Sequence, residues 1–324
     1  MELNLILYFL IFQIIILFSS IRLFYILIQE KLKEEISIEK QLIIWFSFNT
    51  ILSIGISSLF SFTRFNDHPQ YILSVLTIIT ILHFIQKRNL KEYFDYLKKI
   101  FFKLSNSIFD WKIIIIFAGL IPMLWWGLTP PDDTDSLYLL NWNFLWITNQ
   151  TSPYDNWFNY LPLHQLSFVP SMVISNSDHY FWMSMIMPII LLGLTTYAIG
   201  KEFKLNKYLI WISVFSSLLF FRLWMSWGPA FGSMKDDALM GVGLLLIVLS
   251  IMNSKKENLT RQTFVLFLLG TIFVSAKWAG LSVVIIASII FVLMNYKEIT
   301  KHKKQFCIWA IIIFGDYQSF TPST

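Results

Sequence analysis

Cysteine is all but missing. Cys307 is the only one in 324 residues, so no internal disulfide can staple the fold. Charge is scarce as well: Asp, Glu, Lys and Arg make up 14% of the chain against 56% apolar residues, and only 20 residues are acidic. With a mean hydropathy of +0.61, that balance excludes an ordinary soluble domain. There is no His/Cys cluster with zinc spacing, and no glycine-rich phosphate loop or serine-nucleophile elbow. The first apolar run lacks the basic start and small-residue cleavage site of a secretory leader, so it reads as a retained anchor.

Long apolar runs are what the chain has in quantity. A helix of roughly 20 residues crosses a hydrocarbon core about 30 Å thick. The runs near 3–28, 41–61, 70–85, 112–128, 179–199, 208–226, 237–253, 262–276 and 279–295 read as spans, and a shorter run lies at 306–315. With the connection 29–40 placed inside, alternation puts 20 of the 25 Lys and Arg on the inner side. The net charge of +5 is therefore a matter of topology and does not point to nucleic acid. Arg22 is expected to snorkel from the inner end of the first run, and Arg64 falls in a short outer loop. Arg222, Lys235 and Lys277 fall at or near the outer ends of later runs, where cations at membrane depth usually face a cavity or a partner.

The reading is an all-α polytopic membrane protein. Residues 1–110 are N-terminal helices plus a basic amphipathic stretch, 86–103, whose Leu90, Tyr93, Phe94, Leu97, Ile100 and Phe101 suit a helix on the inner leaflet. Residues 111–295 are the core, with a long outer loop at 129–178 and a second at 227–239. Residues 296–324 read as a truncated end. Within the long loop, Asp135 or Thr134 can cap a helix whose Leu137, Leu140, Phe144 and Leu145 form an apolar stripe along the outer interface. An outer loop of that length with its own amphipathic structure is usually functional.

Three acids crowd the start of that loop, in Leu128-Thr129-Pro130-Pro131-Asp132-Asp133-Thr134-Asp135-Ser136-Leu137-Tyr138. Carboxylates packed together repel, so a cluster calls for a cation, a shared proton or a catalytic task. Helix capping accounts for one or two of them, at about 0.3–1 kcal/mol each, but not for all three after Pro-Pro. Asp236 and Asp237 open the seventh run on the same expected face, beside Lys235.

That loop resembles the first outer loop of bacterial GT-C-superfamily glycosyltransferases, which reads Pro-Pro, Asp-x-Asp, a small residue, Leu, then Tyr-His. Asn159-Tyr160-Leu161-Pro162, Asp237-Ala238-Leu239 and Ala276-Lys277-Trp278 follow the family's later motifs in order, over about 112–290. The chain is distantly like the protein O-mannosyltransferase and aminoarabinose transferase families. It departs in carrying Leu139 where the family has His, and in lacking the family's further helices and outer domain.

The resemblance implies a GT-C-like helical bundle in the plasma (inner) membrane, multi-pass, with catalytic loops on the extracytoplasmic face. It implies transfer of a sugar from a polyprenyl-phosphate donor to a glycan, lipid or protein acceptor, by inverting displacement. Asp135 is then the general base, and Asp133, with Asp132, orients the acceptor. Asp133 and Asp135 are also the oxygen donors for a divalent cation, Mg2+ or Mn2+, if one is used. Arg222, Lys235 and Lys277 are the candidates for the departing phosphate. Asp236 and Asp237 complete an acidic wall, and Tyr138 and Trp227 line the substrate. The rival class is a polytopic transporter or lipid-linked oligosaccharide flippase, in which ionisable residues belong near mid-membrane.

Overall fold

The computed structural model describes residues 2–27, 37–63, 75, 77–79, 82, 90–108, 182–223, 237–256, 261–275 and 278–301. Among these residues the chain is 96% helical and has no strand. The helices are α1 (Glu2–Leu27), α2 (Ile38–Thr63), α3 (Leu90–Ile108), α4 (Trp182–Glu202), α5 (Lys207–Leu223), α6 (Asp237–Lys256), α7 (Arg261–Val274) and α8 (Trp278–Lys301). Seven of the expected apolar runs match α1, α2 and α4–α8. The run at 112–128, the loop 129–178 and the run at 306–315 lie outside the described residues, and 70–85 is described only at 75, 77–79 and 82. Gly280–Thr300 is the one stretch of described residues both long and apolar enough to cross a membrane; Ile11–Tyr25, Lys207–Leu218, Leu239–Ser254 and Gln262–Val274 are apolar but shorter.

The helices form a layered bundle. α6 packs most extensively on α7 and also on α4; α4 packs on α5 and α2, and α2 on α1. One apolar core runs through α1–α7, with Phe24, Ile43, Ile44, Leu191, Val214, Leu246 and Phe273 wholly enclosed. A second joins α6, α7 and α8, where Phe267 stacks on Phe291 at 4.0 Å between ring centroids. Aromatic packing of this kind adds about 0.5–1.5 kcal/mol beyond burial.

Local chemistry sets the helix ends. α4 closes in a Schellman turn: the Leu205 N–H donates to the Gly200 carbonyl at 3.1 Å and the Lys204 N–H to Lys201 at 2.9 Å, with Lys204 left-handed at φ 55°. Asn206 then caps α5, its Oδ1 accepting from the Tyr208 N–H at 3.0 Å. α8 is irregular at Asn295 (φ −113°, ψ 16°), where the side-chain amide donates to the Phe291 carbonyl at 2.8 Å and to Ser254 Oγ at 3.2 Å.

Two expectations are corrected. The amphipathic helix α3 does not offer the centre of its apolar stripe to a leaflet, because Tyr93, Leu97 and Ile100 are buried in the core shared with α1 and α2. The Tyr93 hydroxyl donates to the Phe18 carbonyl at 3.3 Å, and the Tyr96 hydroxyl donates to Gln41 Oε1 at 3.0 Å. Arg22 does not snorkel. It is 5% exposed, with its guanidinium carbon 5.5 Å from the centre of the Tyr93 ring, so an aromatic face stands in for headgroup and water.

Candidate functional site

The direction of each helix follows from contacts at one end of the bundle. Lys40, in the first turn of α2, bonds Glu202 at 2.9 Å and Asn253 Oδ1 at 3.1 Å. Lys201 pairs with Glu39. The start of α2 therefore meets the last turns of both α4 and α6. Asn295, late in α8, reaches Ser254 beside them. α4, α6 and α8 run one way, and α2, α5 and α7 the other. Lys40, Lys201, Lys204, Lys207, Lys255, Lys256, Arg261, Lys297 and Lys301 all occupy this end.

At the opposite end α5 and α7 finish and α6 and α8 begin. Arg222 is the penultimate residue of α5, Asp237 opens α6, and Trp278 opens α8. The topology thus brings two of the candidate positions, Arg222 and Asp237, to one end of the bundle, away from the lysine-rich end. Asp132, Asp133, Asp135, Tyr138, Trp227, Lys235, Asp236 and Lys277 lie outside the described residues.

Close backbone packing fixes the framework of that end. In the antiparallel pair α6–α7, Gly243 lies against Val274, and Gly270 against Ile247. A Cβ on Gly243 would fall 2.6 Å from the Val274 nitrogen, and one on Gly270 2.9 Å from the Gly243 oxygen. Gly280, in the first turn of α8, sits so near Val274 that a Cβ there would collide with the Val274 carbonyl. Just past α7, the Ser275 N–H donates to the Thr271 carbonyl at 3.0 Å and its hydroxyl donates to the Ile272 carbonyl at 2.8 Å. Val274 thus joins the second turn of α6 to the first turn of α8. Sequence reasoning missed the glycines. The signal was there: Gly243–Val274 and Ile247–Gly270 are equidistant from the middle of the 257–260 connection.

The lysine-rich end has its own electrostatics, and these too were missed. Partial burial pulls the Lys201 ammonium down, but the hydrogen bond and attraction of Glu39 outweigh it, so its pKa is raised. Burial pushes the Tyr93 phenol up to about 12 against the pull of Arg22, and burial with the neighbouring Tyr93 raises Tyr96. The tyrosines stay neutral and act as hydrogen-bond donors. The ion pairs at this end join α2 to α4, and Lys40 joins α2 to α6 as well, which suits holding helices together better than turning over a substrate.

Among the described residues no cluster of His, Cys, Asp and Glu could hold a metal. No protein-family model, curated protein or solved structure matches the chain.

Proposed function

We propose that the chain is a polytopic GT-C-type glycosyltransferase of the plasma (inner) membrane, moving a sugar from a polyprenyl-phosphate donor to a glycan, lipid or protein acceptor on the extracytoplasmic face. The observation that carries the reading is the distribution of charge along the bundle. Between their first and last five residues, α2 and α4–α8 contain no Asp, Glu, Lys or Arg. The lysines collect at one end, as expected of an inner face. Apolar side chains such as Ile285, Ile289 and Leu293 of α8 and Ile212 and Phe215 of α5 lie exposed, a liability in water but not in lipid. A transporter would place ionisable groups at mid-depth; the absence of charge from these helix interiors favours the transferase.

In this reading Asp135 takes the proton of the acceptor hydroxyl. The acceptor oxygen forms a bond to the anomeric carbon as the bond from that carbon to the phosphate oxygen breaks, and the electron pair leaves with polyprenyl phosphate. Configuration inverts because attack is from the opposite face. Asp133 and Asp132 orient the acceptor. Arg222, Lys235 and Lys277 offset the charge of the departing phosphate. A divalent cation held by Asp133 and Asp135 would supply further positive charge there.

The test is label transfer from radiolabelled polyprenyl-phosphate sugars in membranes holding the native chain or Asp135→Asn. Transfer by the native chain that disappears in the variant at equal expression supports both the activity and the base. Transfer that survives moves the base to another acid, and no transfer from the native chain overturns the reading.

A further inference from the structure

We infer that the outward side of α3 is a docking surface for an anionic phospholipid, built from two parallel rows, Phe94–Lys98–Phe102 and Lys91–Asp95–Lys99. The inference rests on the membrane reading above and adds which helix face meets lipid and what headgroup it takes. Residues four apart stack along one side of a helix, so each row is continuous, and every one of these six side chains is exposed. Phe94 is 54% and Phe102 68% exposed. The opposite side of α3 is already covered, since Tyr93, Leu97 and Ile100 lie in the core.

The charge on the outward rows is lopsided. Three lysines surround one carboxylate, Asp95. Glu92, on the flank, accepts a hydrogen bond from the Tyr25 hydroxyl at 3.5 Å and is drawn toward α1. Phenylalanines interleaved with lysines suit the boundary between headgroups and acyl chains, where the rings enter the apolar layer and the ammonium groups meet phosphate. The neighbouring surface of α1 supplies the place for the tail. Leu7, Ile11, Ile14 and Phe18 are exposed at spacings of four, three and four, so they form one apolar row along that helix. The row leads to α3, because the Phe18 carbonyl is the acceptor of the Tyr93 hydroxyl. A phospholipid whose chain follows this row toward α3 brings its phosphate to Lys91, Lys98 and Lys99.

The experiment uses the full chain with Cys307→Ser and single cysteines at Phe94→Cys, Phe102→Cys or Ile289→Cys, each carrying a nitroxide. The proteins are placed in nanodiscs of phosphatidylcholine, with or without phosphatidylglycerol. Collisions with oxygen and with a neutral nickel chelate report burial in lipid. A lysine near an anionic surface is worth about a five-fold preference. Nickel collisions at 94 and 102 are therefore expected to fall several-fold on adding phosphatidylglycerol, and the fall to vanish in Lys91→Gln/Lys98→Gln/Lys99→Gln. Equal, water-like nickel access at 94 and 102 in both discs, with 289 reached by oxygen alone, overturns the lipid surface and leaves the membrane reading intact. Nickel access at 289 overturns both.

Discussion

The two ends of the bundle use charge in different ways. At the lysine-rich end the described carboxylates of α2 and α4 are held by cations within the fold: Glu39 by Lys201 and Glu202 by Lys40, with Asn253 as a second acceptor for Lys40. At the other end the sequence assigns Asp132, Asp133, Asp135, Asp236 and Asp237 to helix termini and connections, with Arg64, Arg222, Lys235 and Lys277 as the outer cations. Where carboxylates are met by cations, the charges join helices. Where acids outnumber bases, carboxylates are left over, and in the reading proposed above they serve the acceptor proton or a cation.

The sharpest way to break that contrast is to neutralise one acid at each end. Asp135→Asn is expected to lower sugar transfer by about 10²–10⁴-fold, the usual worth of a general base, with the melting temperature of the purified protein unchanged. Glu202→Gln is expected to do the reverse, lowering the melting temperature and sparing transfer. Equal loss of transfer in both would erase the distinction between the ends.

Steric change at the glycine seam comes next. Gly243→Ala puts a carbon against the backbone of Val274, which cannot yield as a flexible side chain would. Overpacking of this kind costs about 1–3 kcal/mol. Because the seam sets the start of α6 beside the end of α7, transfer is expected to fall together with stability. A variant that melts and transfers like the native chain would show the packing to be looser than described.

Much of the bundle was legible in the sequence, because apolar runs mark buried or lipid-facing helices directly. The misses are physical. α4 runs three residues past its apolar run, through Gly200, Lys201 and Glu202, since those last two find partners on α2 more than 160 positions away in the chain. α8 continues past Asn295 because the Asn295 amide bonds to Phe291 and Ser254 where the helix is irregular. Hydropathy sees neither partner. The inward turn of α3 was hidden for a related reason: an apolar stripe says that something covers it, not whether lipid or protein does. Of the candidate site, Arg222 and Asp237 are brought to one end by topology, and the acidic cluster rests on its motif alone.

The lysine-rich end supplies a smaller effect. Lys40→Met leaves the half-buried Glu202 and the buried Asn253 without their shared cation, and hydrogen bonds to charged groups are worth about 1.5–3 kcal/mol; partial exposure of the ion pair reduces that toward about 1 kcal/mol. The expected result is a fall of a few degrees in melting temperature, with lysine-rich-end contacts loosened and transfer retained. High pH attacks the same end. Lys201 and Tyr93 both have folded pKa values above their ordinary 10.5 and 10.0. The folded chain then holds protons that the unfolded chain releases, so stability is intact below about pH 10 and falls as pH climbs toward about 12. Melting curves across that range check the sign; a rise in stability would contradict it.

The smallest change tests the turn between α4 and α5. Lys204 sits at φ 55°, a conformation that costs an L-residue with a Cβ about 1–2 kcal/mol and costs glycine almost nothing. Lys204→Gly relieves that strain but gives the unfolded chain more freedom, which offsets part of the gain. The net expectation is a stabilisation of about 0.5–1 kcal/mol, read as a rise of a few degrees in melting temperature. Transfer should not move, because the turn belongs to the end where charge serves the scaffold. A loss of transfer from this substitution would mean that the lysine-rich end takes part in the reaction, and the division of labour between the two ends would fail at its least expected point.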